Sequence, residues 1–228
     1  MKLTVGTVLK SLDREFANRK FSRQSGPHRG QLYYRWINED TQLSVAPDIR
    51  SVAGVVHIDT PHIGIRFDKT EDLAARFQES HPNLPITAED LAWRTTIGIF
   101  PEPQGVITGF FRKTWNIWRE SDIEPAASDY VKHIMRVATP FWDKYSDPEA
   151  ALDLLRRDDE EARNYTGADH FCAERAVAMT FLRKGLKEAR QVAGAKLPNI
   201  RSVSYREEFR GWMTRFLEAQ GTLDSAHI

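Results

Sequence analysis

An α+β fold is predicted: an antiparallel sheet in the N-terminal half packed by helices, followed by a helical C-terminal extension. Three observations carry it. The chain opens on apolar positions at helical spacing. Residues 31–67 alternate aromatic and β-branched side chains between turn residues. After Trp118 every strongly patterned segment reads as helix. At 228 residues the chain is long enough to bury a core without disulfide or metal staples.

The elements follow in order. Val5, Val8, Leu9, Leu12 and Phe16, with Lys10, Asp13, Arg14 and Glu15 between them, make an amphipathic helix. Phe21 to Gly30 is polar and basic, contains Gly26, Pro27 and Gly30, and reads as a loop. Strands follow at Leu32-Tyr34-Trp36, Val56-Ile58 and Ile63-Ile65-Phe67; the turn residues Asn38-Glu39-Asp40 and Thr60-Pro61 imply short connections and an antiparallel meander. Asp68 and Thr70 are placed to cap a helix through Leu73, Ala74 and Phe77, with a helical turn at Thr87 to Leu91 beyond it. Thr95 to Phe100 and Val106 to Trp118 form a hairpin about Pro101 to Gly105.

Helices are expected at Ile123 to Lys144, Pro148 to Arg157, Ala168 to Ala193 and Ser202 to Gln220. Asp147 caps the second of them, with Pro148 at its first position. The third carries Cys172, Ala176, Met179, Leu182, Leu186 and Ala189 on one side, and Gly194 and Pro198 close it. The mixed charge run Arg156 to Glu161 reads as a solvated helix end. These elements divide into an α+β domain over residues 1–160 and a helical extension over 161–228 packed on it.

With 32 basic and 32 acidic residues the chain has no net charge, which removes the global field of a general nucleic-acid or acidic-lipid binder. Cys172 is the only cysteine, so an intrachain disulfide and every multi-cysteine zinc pattern are excluded. Met1 to Gly6 has no apolar core of signal-peptide length, and no stretch approaches the roughly 20 apolar residues of a membrane span. A cytoplasmic chain is therefore expected.

The opening helix, the basic loop, the strand Leu32-Tyr33-Tyr34-Arg35-Trp36 and the strand pair around Val55 to Phe67 resemble the bacterial domain-of-unknown-function family 4304. So do the aromatic strand Thr114-Trp115-Asn116-Ile117-Trp118 and the phrase Pro140-Phe141-Trp142-Asp143-Lys144-Tyr145-Ser146-Asp147. The resemblance covers roughly residues 4–157. The family has no agreed activity and no recognised catalytic motif, so no functional residue transfers to this chain. Some members sit among bacterial defence or toxin-immunity genes, which implies a binding role by association.

Four groups of side chains carry candidate chemistry. His57, Asp59 and His62 have the spacing to converge on a metal, although imidazoles and acids on a strand also mark the wet face of a sheet. Arg19, Lys20, Arg23, His28 and Arg29 crowd the loop after the first helix, where an anion or acidic partner could lodge; a solvent-facing loop is the plainer account. Phe110, Phe111, Trp115, Trp118, Phe141 and Trp142 are chiefly core. Strand alternation nonetheless puts Trp115 with Ile117 and Trp118 with Asn116, so one tryptophan is left exposed, with Arg112 and Arg119 near it as a protein-binding anchor. His170-Phe171-Cys172 with Glu174 lacks the further cysteines of a deaminase, and Cys172 lies on an apolar stripe.

No catalytic set is assembled and no cofactor is implied. The reading is a non-enzymatic module that binds another protein, an immunity or defence-associated protein by resemblance. The rivals are a metal- or phosphate-dependent hydrolase using His57, Asp59 and His62 or the Arg23 to Arg29 loop, and, ranked last, a local nucleic-acid binder. Pairing of copies through the C-terminal helices stays open.

Overall fold

The computed structural model describes residues 3–25, 31–59, 61–78, 94–99, 114–166 and 169–225. In chain order the elements are α1 (Val5–Ala17), β1 (Ser22–Ser25), β2 (Gln31–Trp36), β3 (Thr41–Ala46), β4 (Ile49–Val52), β5 (Val55–Ile58), β6 (His62–Phe67) and α2 (Asp68–Arg76). There follow β7 (Ile97–Ile99), β8 (Trp115–Ile117), α3 (Ile123–Tyr145), α4 (Pro148–Arg156), α5 (Glu160–Thr166), α6 (Asp169–Lys184), α7 (Leu186–Lys196) and α8 (Val203–Ser225). The α+β class is as expected: the described strands fall within the first 117 residues, with α1 and α2 among them, and the described elements after residue 117 are helical.

The chain forms two compact units, each assembled from two stretches: Met1–Ile65 with Ile99–Lys144, and Arg66–Gly98 with Tyr145–Ile228. This differs from the expected division at residue 160. The apolar side of α2 packs on α6, so the middle of the chain joins the C-terminal helices.

In the first unit, Thr4 caps α1 by accepting the Thr7 N–H at 3.2 Å, and the Thr7 hydroxyl accepts the Thr4 N–H in return. Val8, Leu12 and Phe16 are fully buried, each contributing roughly 1.5–3 kcal/mol. Phe16 stacks on Tyr33 of β2 at 4.1 Å between ring centroids, and the Tyr33 hydroxyl donates to Asp13. After α1, Lys20 takes a φ of 63° and the Phe21 N–H returns to the Phe16 carbonyl.

That reversal feeds β1, where a loop was expected. Ser22 to Ser25 pairs antiparallel with β2, Ser22 opposite Tyr34. Its sequence has no apolar alternation because it is an edge strand. Gly26 to Gly30 lies outside the described residues.

The strands do not make the expected meander. One sheet runs β1-β2-β3-β6-β7 and the other β4-β5-β8. Pro47 follows β3 and has no N–H to continue the ladder; the chain then leaves for the β4-β5 hairpin, and β6 returns beside β3. The hairpin turns through Ala53 and Gly54, both at positive φ (51° and 83°), as a two-residue connection matched to strand twist requires. β7 and β8 belong to different sheets, so the described residues of the two expected arms do not pair with one another. The intended arm at 106–113 and its Pro101 to Gly105 turn, with Phe110 and Phe111, lie outside the described residues, as does the turn at Thr87 to Leu91.

In the second unit, Ala173, Ala178, Ala189 and Ala193 share a core with Phe209, Trp212 and Phe216. Trp212 stacks between Phe209 and Phe216 and donates its indole N–H to the Ala74 carbonyl at 2.7 Å. Arg215 donates to the Phe77 carbonyl at 2.8 Å, so α8 caps the C-terminal end of α2. The expected capping of α2 by Asp68 does not occur: Phe67 precedes the helix without a side-chain cap, and Asp68 accepts from Arg66. Asp147 does cap α4, accepting from Glu149 and Ala150 with Pro148 at the first position.

The single helix expected from Ala168 to Ala193 is broken at Gly185. The φ of 87° and ψ of −179° there end α6 and start α7 on a new phase, and Leu182, expected on the apolar stripe, is exposed. The run Arg156 to Glu161 is only partly a solvated helix end: buried Lys196 donates to the Arg157 carbonyl and to Asp158, closing the end of α4.

No atom lies within 4 Å of a Cβ added at Gly185, so Gly185→Ala tests the backbone alone. The substitution should lower stability by about 1–3 kcal/mol in urea unfolding, the cost of a glycine-only conformation. An unchanged midpoint would show that the break does not depend on that conformation.

Candidate functional site

The outer face of the small sheet is built from β5 outward. Register places His57 opposite Arg50 of β4 and opposite Asn116 of β8, so the three form a row across the strands. Alternation sends Val56, Ile58, Trp115 and Ile117 inward, and all four are buried. Trp115 packs edge-on to Tyr130 at 4.8 Å and donates its indole N–H to Asp129 at 2.7 Å. Asn116 faces out and its Oδ1 lies 2.7 Å from His57 Nδ1; an amide oxygen only accepts, so the imidazole carries its proton on Nδ1 in this contact. Trp118, two residues beyond Asn116, is 66% exposed, and Arg119 after it is exposed as well.

The three residues considered for a metal are not brought together. Asp59 lies just past the end of β5, buried, accepting from Thr114 at 2.9 Å and paired with Arg50 at 2.8 Å. His57 is turned to Asn116, and His62 begins β6. Among the described residues no three His, Cys, Asp or Glu side chains are grouped to hold a metal ion. The reason is local: a cation already neutralises Asp59.

The basic loop is likewise occupied where it is described. Arg19 bonds the Glu15 carbonyl and lies 3.9 Å from its carboxylate; Arg23 pairs with Asp13 at 2.9 Å and donates to Gln31. His28, Arg29 and Arg112 lie outside the described residues.

The second unit holds a polar network that sequence reasoning missed. Arg175 donates twice to Glu71, at 2.8 and 3.2 Å, and the Glu71 side chain is almost wholly buried. Beside it Glu174, 3% exposed, accepts from the Gln78 amide, whose oxygen accepts from Arg94. Arg66 reaches Asp68, Asp72 and the Arg94 carbonyl. Burial pushes the Glu174 carboxyl up to about 7, with Gln78, Arg175 and Arg94 pulling the other way. The available signal was phase: Glu71 is three residues from Ala74, and Glu174 is four from Ala178.

Near the start of α6, a recess of about 10 Å³, space for about one water molecule, is lined by Asp158, Cys172, Lys196 and Asn199. The Cys172 thiol donates to the Leu155 carbonyl at 3.5 Å, and burial raises its pKa, which disfavours the thiolate a nucleophile needs. No helix among the described residues is long and apolar enough to cross a membrane.

No family model matches the chain, and comparison with curated proteins and with solved structures finds no match.

Arg175→Met leaves Glu71 buried without its cation and should cost about 3–5 kcal/mol in chemical denaturation. Adding Glu71→Leu should recover most of that loss, because the unpaired charge goes with it. A single variant as stable as wild type would show that the pair is not a constraint on the unit.

Proposed function

We propose that the chain is a non-enzymatic protein-interaction module whose contact surface is the outer face of the β4-β5-β8 sheet. The exposure of Trp118 carries this reading. A large indole in water beside a row of hydrogen-bonding side chains has the makeup of an interface anchor, an aromatic centre with a polar rim. Val52, at the turn end of β4, adds exposed apolar area.

Charge gives the partner its chemistry. Arg50 and Arg119 are exposed, with Asp59 buried beneath Arg50 and Glu120 the exposed acid that follows Arg119. The face therefore suits a protein pocket that accepts an indole and presents carboxylates at its rim. The resemblance of residues 4–157 to family 4304 suggests that the chain itself is an immunity or defence-associated protein whose partner is another protein. The hydrolase alternative gains no support from His57 and Asp59, which are held by Asn116, Thr114 and Arg50. The nucleic-acid alternative gains none from Arg19 and Arg23, which are paired with acids of α1.

A photo-reactive phenylalanine at position 118, expressed in the organism that carries the gene, should cross-link to one distinct protein. Arg119→Glu in the same chain should lower the yield at least several-fold. Labelling no different from that at the exposed helix position Asp143, or cross-links only to a second copy of the chain, would overturn the proposal.

A further inference from the structure

We propose that the open edge of β4 pairs with the same edge of a second copy of the chain, joining two β4-β5-β8 sheets into one. The phase of the ladder shows which backbone groups are available. The Asp59 N–H donates to the Asp48 carbonyl at 2.9 Å, and bonded and non-bonded pairs alternate along an antiparallel ladder. Arg50 and Val52, opposite His57 and Val55, therefore bond toward β5. The two-residue turn at Ala53 and Gly54 requires the same phase, because the residues flanking such a turn form a bonded pair. The N–H and C=O of Ile49 and Ser51 consequently point away from β5. Among the described residues no strand pairs with β4 on that side, and Arg50, Ser51 and Val52 are exposed.

Edge strands that stay single are guarded by a free charge, a bulge or a cover. β4 keeps an unbroken register with β5, and its one charge, Arg50, is held by Asp59 at 2.8 Å. An isologous antiparallel pairing about Arg50 sets Ile49 opposite Ser51 of the second copy, and it satisfies every outward N–H and C=O of both strands. The two Arg50 side chains then face each other across the axis, each already neutralised by its own Asp59. With 32 basic and 32 acidic residues, the chain has no net charge to hold copies apart. A contact of 4 residues a side is smaller than a standard interface, so the association is weak. It is independent of the anchor proposed above, because it uses the backbone of β4 while Trp118 follows β8 at the opposite edge of the sheet.

Sedimentation of the full chain from about 10 μM to about 1 mM, the range in which a weak contact shows, should move the average mass from one chain toward two. Over the same range, amide hydrogen exchange at Ile49 and Ser51 should slow at least several-fold, while Arg50 and Val52, already bonded to β5, change less. Ser51→Pro removes an outward N–H and none that bonds β5, so it should abolish the association and leave the circular dichroism and unfolding midpoint near wild type. A wild-type chain that stays single throughout refutes the pairing, and so does association that survives in a folded Ser51→Pro chain. If that variant does not fold, the wild-type amides decide: slowing at Ile49 and Ser51 supports the pairing, and slowing confined to other elements, such as the C-terminal helices, refutes it.

Discussion

A buried charge or backbone polar group without a partner costs more than most single contacts return, and both units are arranged around that constraint. In the first, Asp59 sits at the end of β5 only because Arg50 and Thr114 meet it. In the second, Glu71 is enclosed by the fork of Arg175, and the ends of α2 and α4 are closed by Trp212, Arg215 and Lys196 from helices far along the chain. The same long-range bonds give the helices their neighbours: Ala74 and Phe77 are fixed to α8 through their carbonyls as well as through packing.

Local rules governed the elements that the sequence made readable. The stripe of Val8, Leu12 and Phe16 is a helix face in the structure, and Asp147 with Pro148 starts α4 where capping chemistry places it. Elements that rest on distant partners were hidden. β1 has only polar residues and exists because β2 lies beside it. The second sheet needs β8, more than fifty residues beyond β5, and no periodicity reports such pairing. Gly185 carried a signal that was outweighed, because the apolar residues on either side continue at nearly helical spacing across a break in phase.

The candidate site was readable in part for the same reason. Alternation separates Trp115 from Trp118 by face, and one is buried while the other stands in solvent. The ligand-like grouping of His57, Asp59 and His62 fails because spacing says nothing of Arg50 and Asn116, which reach the first two across neighbouring strands. The network of Glu71, Gln78, Arg94 and Glu174 joins residues about a hundred positions apart. The burial of its two acids follows from their phase on α2 and α6, three and four residues from core alanines.

The interleaving of the two units bears on how the chain is made. Neither is a continuous stretch, so nascent α2 emerges from the ribosome well before the C-terminal helices that cover Leu73, Ala74 and Phe77 exist. The first unit can close once residue 144 has been synthesised; the second waits for almost the whole chain, with Leu73, Ala74 and Phe77 uncovered in the interval. Truncation at residue 160 would strand that segment permanently, leaving an apolar surface for chaperones or proteases to find.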